Sequence, residues 1–212
     1  MLISATLIAL AALAQTREVS QTPYVQDIPA YYSSAEALPK SIQFPLQSFS
    51  ITADNLKEGG AILAVATRAG SDRATAIGAE RGLYMLTSDG KGYEKVYPAD
   101  ARYSWAPRQV AAVVYDSNGR LWFGAENGVG VLDGADWSLY TGAEGLPWNH
   151  FTCAAAGADG AVWFGTDHGA IRFDGSVWNY RAGRRWLLDD HVTGIVVEDD
   201  VSTWIATKTG YS

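Results

Sequence analysis

All three histidines of this 212-residue chain lie in its second half, beside polar and aromatic residues. His150 follows Trp148 and Asn149, and His191 follows Asp190 at a position 41 residues further along. A histidine next to a carboxylate or amide can serve as a general acid or base, or can bind a divalent metal. Tryptophan offers a large, rigid ring on which sugars and peptides stack. These residue types therefore favour ligand recognition or acid–base chemistry.

We predict that the functional residues form one rim of the molecule, built from loops of successive structural repeats. Acidic and basic residues join the histidines there, in a set suited to a glycan, a peptide or another small ligand. The predicted rim consists of Glu126, Asn127, Trp148, Asn149, His150, Asp167, His168, Arg184, Arg185, Trp186, Asp190 and His191. These residues are distant in sequence, so they act together only if the fold brings them together.

Each candidate also has a purely structural interpretation. Trp148 and Trp186 lie 38 residues apart, out of step with the 41-residue spacing of the histidines. Stacking on a ligand and capping a neighbouring structural unit are therefore both open for them. His150 and His191 are expected to lie too far apart to share a metal ion, so hydrogen bonding within loops is the favoured role. We predict no metal and no cofactor.

The sequence contains no recognised catalytic set. Asp189 and Asp190 are adjacent, so on a strand they would point to opposite sides and could not flank one glycosidic bond. Nucleophile-elbow, zinc-protease and phosphate-loop motifs are absent from the sequence. The one cysteine, Cys153, precedes three alanines and is expected to be buried and inert. These observations favour a non-catalytic function.

The composition indicates a β-rich chain. Charged residues make up 18%, whereas 22 glycines and eight tryptophans are many for this length. Such a composition is typical of short strands joined by tight turns. The formal net charge of −7 offers no basic surface for nucleic acid or for anionic lipid, so neither is expected as a partner.

A 41-residue repeat organises the second half of the chain. Its marker is a tryptophan-centred segment that occurs at 120–124, 161–165 and 202–206 without a gap. His150 and His191 keep the same spacing. A weaker copy begins near residue 62 and needs an insertion of five residues after it. A period of this length is the signature of a repeat architecture.

Each repeat contains four short segments of β-branched and aromatic residues, which predict four antiparallel strands. In the clearest copy they cover 151–156, 161–166, 170–173 and 177–181, separated by turns rich in Asp and Gly. Four strands in about 40 to 45 residues make one blade of a β-propeller. We therefore predict an all-β fold, a β-propeller built of four-stranded antiparallel blades.

The predicted propeller begins at residue 42, and its blades cover about 62–97, 109–140, 150–181 and 191–212, the last with two strands. About three and a half blades are present, so we predict an incomplete ring in the N-terminal part of a longer protein. The segment 42–51 is a candidate outer strand. Antiparallel geometry places the loop before each first strand and the turn between the second and third strands on one rim. This geometry brings the candidate residues together.

The repeat resembles that of the two-component-regulator propellers. The matching strings are NGRLWFG at 118–124 and GLPWNHF at 145–151. Blades of that family read roughly GLPxNxV followed by DxxGxLWxGTxxGL. The next copy, LLDDHV at 187–192, has Leu188 where the pattern has proline. The resemblance covers about 74–210 and implies a propeller like those in periplasmic sensor regions of hybrid histidine kinases and in secreted proteins.

The start of the chain predicts export. Residues 1–14 are uncharged and apolar and end in Ala-Leu-Ala, which favours a signal peptide cleaved after Ala14. Residues 15–41 are rich in Pro, Ser and Gln and are predicted to be a linker. The protein is therefore expected to be secreted or periplasmic, with no membrane insertion of the mature chain.

Taken together, the sequence predicts an extracytoplasmic recognition or sensing module that is not catalytic and binds a glycan or peptide. Two alternatives stay open. The first is a propeller-type polysaccharide lyase or hydrolase that uses His150, His191 and nearby carboxylates as acid and base. The second is a scaffold that binds a protein partner without a small ligand.

Overall fold

A computed structural model describes residues 24–25, 42–44, 54–98, 105–198 and 202–212. The predicted signal peptide, with its cleavage after Ala14, lies outside the described residues. Regular structure in the described ranges is almost entirely strand, with short 3-10 helices at Asp54–Gly59 and Gly142–Glu144. No helix of these ranges is long and apolar enough to cross a membrane.

The strands of the described ranges form four sheets, and the first, second and fourth contain only strands that are consecutive in sequence. Strand β1 (Tyr24–Val25) stands alone in sequence and joins the third sheet. The first sheet contains β2 (Ile62–Ala66), β3 (Ala76–Ala79), β4 (Gly82–Leu86) and β5 (Tyr93–Val96). The second contains β6 (Ala112–Tyr115), β7 (Leu121–Ala125), β8 (Gly128–Asp133) and β9 (Asp136–Tyr140). The third contains β10 (Phe151–Ala156), β11 (Val162–Thr166), β12 (Gly169–Phe173) and β13 (Trp178–Arg181). The fourth contains β14 (Val192–Val197), β15 (Thr203–Thr207) and β16 (Gly210–Tyr211).

Within each sheet, strands that are consecutive in sequence pair antiparallel. The first strand of each sheet contacts the first strand of the next, from β2 to β6, β10 and β14. Four sheets joined in this way are blades in a propeller arrangement, which we number 1 to 4 along the chain. The all-β propeller fold predicted from the repeat is confirmed.

Blade 4 differs from the prediction by one strand. The sequence predicts two strands, whereas β16 adds a third through pairing of Ala206 with Tyr211 and Thr207 with Gly210. Ser212 extends the ladder, because its N–H and C=O each bond the backbone of Ile205 at 2.9 Å. A strand of two residues is too short to show a period-2 pattern in the sequence.

Two segments upstream of blade 1 contact later blades. Tyr24 and Val25 lie in the predicted linker yet pair parallel with Trp178 and Asn179 of β13, because an outer strand offers unpaired backbone groups. The described part of the candidate outer strand, 42–44, is not in a strand. Instead, Phe44 packs on β14, with its Cδ1 2.9 Å from where a Cβ on Gly194 would lie. The other residues of 42–51 lie outside the described ranges.

The part of the core between blades 2 and 3 contains a group of packed aromatic rings. Trp122 of the marker segment is 2% exposed and packs 5.7 Å from Phe173 of the next blade, measured between ring centroids. Trp178 packs against Phe173 at 4.5 Å and against Tyr140 at 5.6 Å. Burying one such side chain stabilises a fold by about 1.5–3 kcal/mol. The recurring tryptophans therefore belong to the blade architecture.

At two positions of the repeat only glycine fits, because another part of the chain lies too close to leave room for a Cβ atom. A Cβ on Gly124 would lie 2.5 Å from Cγ of Phe151, so glycine lets the first strand of the next blade approach. Gly169 has φ of 129°, and a Cβ there would lie 2.4 Å from the carbonyl oxygen of Arg181. Only glycine adopts this backbone conformation readily. Gly128, Gly169 and Gly210 keep the 41-residue spacing, as do Gly124 and Gly165, although blade 4 has Ala206 at the position that matches the latter pair. The glycine spacing of the sequence therefore reports blade geometry.

On the rim that carries the turns between first and second strands, a buried carboxylate stabilises the turn of blade 2. Buried Asp116 accepts hydrogen bonds from Trp122 Nε1 at 2.8 Å and from Arg120 Nε at 2.6 Å. Burial raises the pKa of Asp116, but these hydrogen bonds and the Arg120 charge outweigh burial and lower the pKa below its usual value. The carboxylate therefore stays ionised and fixes its turn.

Candidate functional site

One backbone hydrogen bond recurs in all four blades and defines the opposite rim. It runs from the turn between the second and third strands to the loop that leads into the first strand. The donors are the N–H groups of Glu80, Glu126, Asp167 and Lys208, and the acceptors are the carbonyls of Ala61, Arg108, His150 and His191, at 3.0, 3.1, 3.2 and 3.1 Å. The two loops of each blade are therefore held side by side, and their side chains face one surface.

In blade 3 this arrangement brings four predicted site residues into contact. The carboxylate of Asp167 accepts a hydrogen bond from Trp148 Nε1 at 2.7 Å. Nδ1 of His168 lies 3.0 Å from Oδ1 of Asp167, and Nδ1 of His150 lies 3.4 Å from Oδ2. The two histidine side chains are 57% and 66% exposed. We call Trp148, His150, Asp167 and His168 the rim cluster.

Trp148 is the structural centre of the rim cluster. Its ring lies 4.3 Å from the imidazole of His168 and 5.6 Å from that of His150, between centroids. The same side chain packs against the core between blades 2 and 3. These contacts support the capping interpretation of Trp148. The surface that the cluster offers to a ligand is therefore mainly the two imidazoles.

Asp167 orients both imidazoles. Partial burial raises its pKa, but hydrogen bonds from His168, Trp148 and His150 together outweigh burial and lower the pKa below its usual value. In the tautomer that carries its proton on Nδ1, each imidazole donates to the carboxylate and its Nε2 is left for solvent or a ligand. The cluster thus presents two fixed acceptors, which become donors when the rings are protonated.

Neighbouring residues hold the cluster in place. Asn149 Nδ2 donates to the carbonyl of Glu126 at 2.7 Å, which links the loop of blade 3 to the turn of blade 2. Buried Thr166 donates to the carbonyl of Gly169 at 2.7 Å and accepts from the N–H of His168 at 3.1 Å. The side chains of Glu126 and Asn127 are exposed on this turn. They lie beside the cluster, in blade 2.

The loop between blades 3 and 4 carries further predicted site residues, and these are not all exposed. Arg184 and Arg185 are exposed. Trp186, predicted on the rim, is 6% exposed and packs in the core between these blades. This placement corrects the prediction, because a buried ring cannot stack on a ligand. Asp190 accepts a hydrogen bond from the N–H of Gly183 and so shapes the loop.

His191 and Cys153 take no part in the rim cluster. The N–H of His191 donates to Asp189 Oδ1 at 2.8 Å, which fixes the start of β14. Burial raises the pKa of the Cys153 thiol to about 11, so the thiol stays protonated at neutral pH. Across the described ranges, no three His, Cys, Asp or Glu side chains are grouped so as to hold a metal ion.

Two residues that shape the turns of this rim were not among those predicted from the sequence. Thr166 fixes the turn that carries His168, and Thr207 makes the same hydrogen bond to Gly210 at 2.8 Å. Their 41-residue spacing in the printed sequence is the signal that would have found them. Lys208 occupies the repeat position of Asp167, so the same spacing also reveals a cation on the rim of blade 4.

No protein-family model matches this chain, and no curated protein matches it either. Solved structures do match. Extracellular domains assigned to the hybrid two-component systems BT3049 and BT4673 of B. thetaiotaomicron superpose with TM-scores of 0.54 and 0.56, at 21% and 16% sequence identity. The chain has the propeller fold of these domains. The resemblance to two-component-regulator propellers is confirmed in its fold.

These matches cover part of each protein. In both cases they span 71% of this chain and 21% of the extracellular domain, so the chain spans about a fifth of the length of those domains. Virginiamycin B lyase from Staphylococcus aureus also matches, with a TM-score of 0.51 and 15% identity. That match covers 71% of this chain and 50% of the lyase. The same blade arrangement thus occurs in an enzyme.

Proposed function

We propose that this chain forms part of an extracytoplasmic recognition module that binds a glycan on the rim of blade 3 without transforming it. The rim cluster carries this proposal. Trp148 Nε1 donates to Asp167, and the Nδ1 atoms of both histidines lie within hydrogen-bond distance of the same carboxylate, so the side chains are grouped before any ligand arrives. A preorganised site loses little conformational entropy on binding. Two exposed imidazoles with free Nε2 atoms suit the hydroxyl groups of a sugar.

The fold supports the sensing part of the proposal. Two of the solved structures that share this fold are extracellular domains assigned to hybrid two-component systems. Their location agrees with the export signal predicted for residues 1–14. Protein recognition is an alternative for the same rim, but a protein interface normally buries about 800 Å² per partner. The fixed, polar and small rim cluster is better matched to a few sugar residues.

A glycan array followed by calorimetry tests this function. The 212-residue chain is expected to select a small set of oligosaccharides, with dissociation constants in the micromolar to millimolar range. The double variant His150→Ala with His168→Ala should lower affinity for the selected glycan at least about tenfold, since about 1.4 kcal/mol corresponds to a factor of ten. Binding that is unchanged in the variant, or no glycan bound by the parent, would refute the proposal.

A lyase or hydrolase activity is the second candidate. Its specific support is that Asp167 holds the Nδ1 atoms of His150 and His168, the arrangement in which a carboxylate orients a histidine general base. A protein that shares the fold is a lyase. An oriented Nε2 could take the proton from the carbon beside a uronate carboxylate. The electron pair of that C–H bond would form a C=C bond to the neighbouring carbon and expel the glycosidic oxygen from it.

Product analysis separates the two candidates. Each glycan selected on the array is incubated with the parent chain, and chain cleavage is followed by mass spectrometry across a range of pH. Recognition without catalysis predicts intact glycan at every pH. Cleavage that disappears in His150→Ala but persists in His191→Ala would establish the enzymatic candidate instead.

A further inference from the structure

A second surface lies on the same rim, one blade beyond the rim cluster. Arg184 and Arg185 of the loop before blade 4 and Lys208 of the β15–β16 turn all have exposed side chains. Within the described part of the chain, none of the three charged groups has a hydrogen-bond or ion-pair partner. We call these three residues the basic loop. Cations without a partner are available to bind an external anion.

Hydrogen bonds close the loop that carries the two arginines and join its end to the turn that carries Lys208. Lys208 donates its N–H to the carbonyl of His191 at 3.1 Å, which ties the turn to the end of the loop. Leu188 packs on the same turn, with Cδ1 2.9 Å from where a Cβ on Gly210 would lie. Trp186 and Leu187 are buried between blades and anchor the middle of the loop. The arginines therefore project from a fixed segment.

The nearby carboxylates are already engaged by the backbone. Asp189 accepts a hydrogen bond from the N–H of His191 at 2.8 Å, and Asp190 accepts one from the N–H of Gly183. Three cations face two carboxylates here, although the whole chain has a net charge of −7. Because both carboxylates shape the loop, the guanidinium groups are left for a ligand.

Two consecutive guanidinium groups define the chemistry of that ligand. Each guanidinium is a planar fork of N–H donors that matches a carboxylate or sulfate in bidentate geometry. An ammonium group beside them adds a third positive charge. We propose that the basic loop is a subsite for the carboxylate or sulfate group of an acidic oligosaccharide whose neighbouring sugar contacts the rim cluster. The inference rests on the proposed function in taking the ligand to be a glycan.

Calorimetry with matched probes tests the basic loop. The probes are tetragalacturonate, its fully methyl-esterified form, which is neutral, and a sulfated galactan tetrasaccharide. The parent chain is expected to bind at least one acidic probe about tenfold more tightly than the neutral ester, because charge-assisted hydrogen bonds are stronger than neutral ones. The two acidic probes show whether a carboxylate or a sulfate is preferred.

The decisive variant is Arg184→Gln with Arg185→Gln, which should lower affinity for the acidic probe to about that for the ester. Lys208→Gln should lower it about threefold, since it removes one charge of three. Arg68→Gln with Lys91→Gln is the matched control. It removes the same charge from exposed positions on the opposite rim and should leave affinity within about twofold. Circular dichroism checks that all variants are folded.

The outcomes separate this inference from the proposed function. If neutral glycans bind through His150 and His168 while acidic probes gain nothing, the inference is wrong and the function stands. If acidic probes bind through Arg184 and Arg185 but substitution of both histidines has no effect, the anion subsite stands and the glycan site at blade 3 is wrong. Equal losses in the arginine variant and its control, or no binding of any probe, overturn the inference.

Discussion

Blades 3 and 4 are two copies of one 41-residue repeat with the same framework and different rims. Thr166 and Thr207 make the same hydrogen bond to a glycine carbonyl, at 2.7 and 2.8 Å. Yet Trp148 is replaced by Asp189 and Asp167 by Lys208 at matching repeat positions. Blade 3 therefore gathers its side chains around a carboxylate, whereas blade 4 leaves its cations free. The repeat specifies the scaffold, and residues that depart from it specify chemistry.

The largest expected difference between the two blades concerns their cores. Phe164 and Ile205 occupy equivalent positions, and Phe164 is fully buried among aromatic rings. Phe164→Ala should lower the free energy of unfolding by about 3–5 kcal/mol, and Ile205→Ala by about 2–3 kcal/mol. Urea denaturation followed by circular dichroism measures both. A larger loss at Ile205 would mean that blade 4 holds more of the core than its three strands indicate.

The next difference concerns the rim itself. Asp167→Ala should cost about 1–2 kcal/mol of unfolding free energy, because the partly buried Trp148 Nε1 loses its acceptor. Lys208→Ala should stay within about 0.5 kcal/mol, since its exposed side chain contributes no contact of this kind. Asp167→Asn keeps an acceptor oxygen for Trp148 and serves as the control. Equal losses for both alanine variants would remove the distinction between the two rims.

Ligand affinity should separate the two equivalent histidines. His150→Ala removes an exposed imidazole of the rim cluster and should weaken binding of an array-selected neutral glycan about fivefold to tenfold, or about 1 kcal/mol. His191→Ala should change affinity by less than about twofold, because its side chain lies outside the cluster. Calorimetry on both single variants makes the measurement. A greater effect of His191→Ala would place the neutral subsite at blade 4.

The smallest expected effect is a dependence on pH. The folded-state pKa of Asp167 lies below its usual value of 3.8, so its stabilising contribution is present above that pH and is lost as pH falls through the lowered pKa. The stability difference between the parent and Asp167→Asn should therefore shrink towards zero on acidification from pH 5 to about pH 2. The difference for Lys208→Gln should stay constant over this range. A difference for Asp167→Asn that does not change with pH would show that ionisation of Asp167 is not coupled to folding.

The propeller fold was predictable from the sequence because its constraints recur. The marker tryptophans and the glycines at Gly124 and Gly169 each satisfy a contact between or within blades, and each contact leaves a residue at a fixed spacing. Strand β16 keeps only its first residue, Gly210, at that spacing, and the pairing of Tyr24 with Trp178 leaves no such trace. The first is too short for a pattern, and the second depends on an edge that only the folded blade creates.

The position of the candidate site on the fold could be predicted from the sequence, but the contacts among its residues could be predicted only in part. Loop positions and residue types identified the rim, and Asp167 with both blade-3 histidines was among the candidates. The sequence left two roles open for Trp186, stacking on a ligand and capping a neighbouring unit, because a tryptophan that does not follow the repeat can take either. Its burial between blades 3 and 4 supports capping. The role of Trp148 likewise depended on its distance from Asp167, which no linear spacing gives.

The pairing of β1 with β13 has a consequence for the order in which the protein folds. Every other strand pairing in the described ranges joins strands that are neighbours in sequence, so each blade can form by closing short loops. β1 must close a loop over most of the chain, at a large cost in chain entropy, to gain two paired residues. We therefore expect β1 to dock after blade 3 has formed, and the amides of Tyr24 and Val25 to exchange with solvent long before those of β11 and β12.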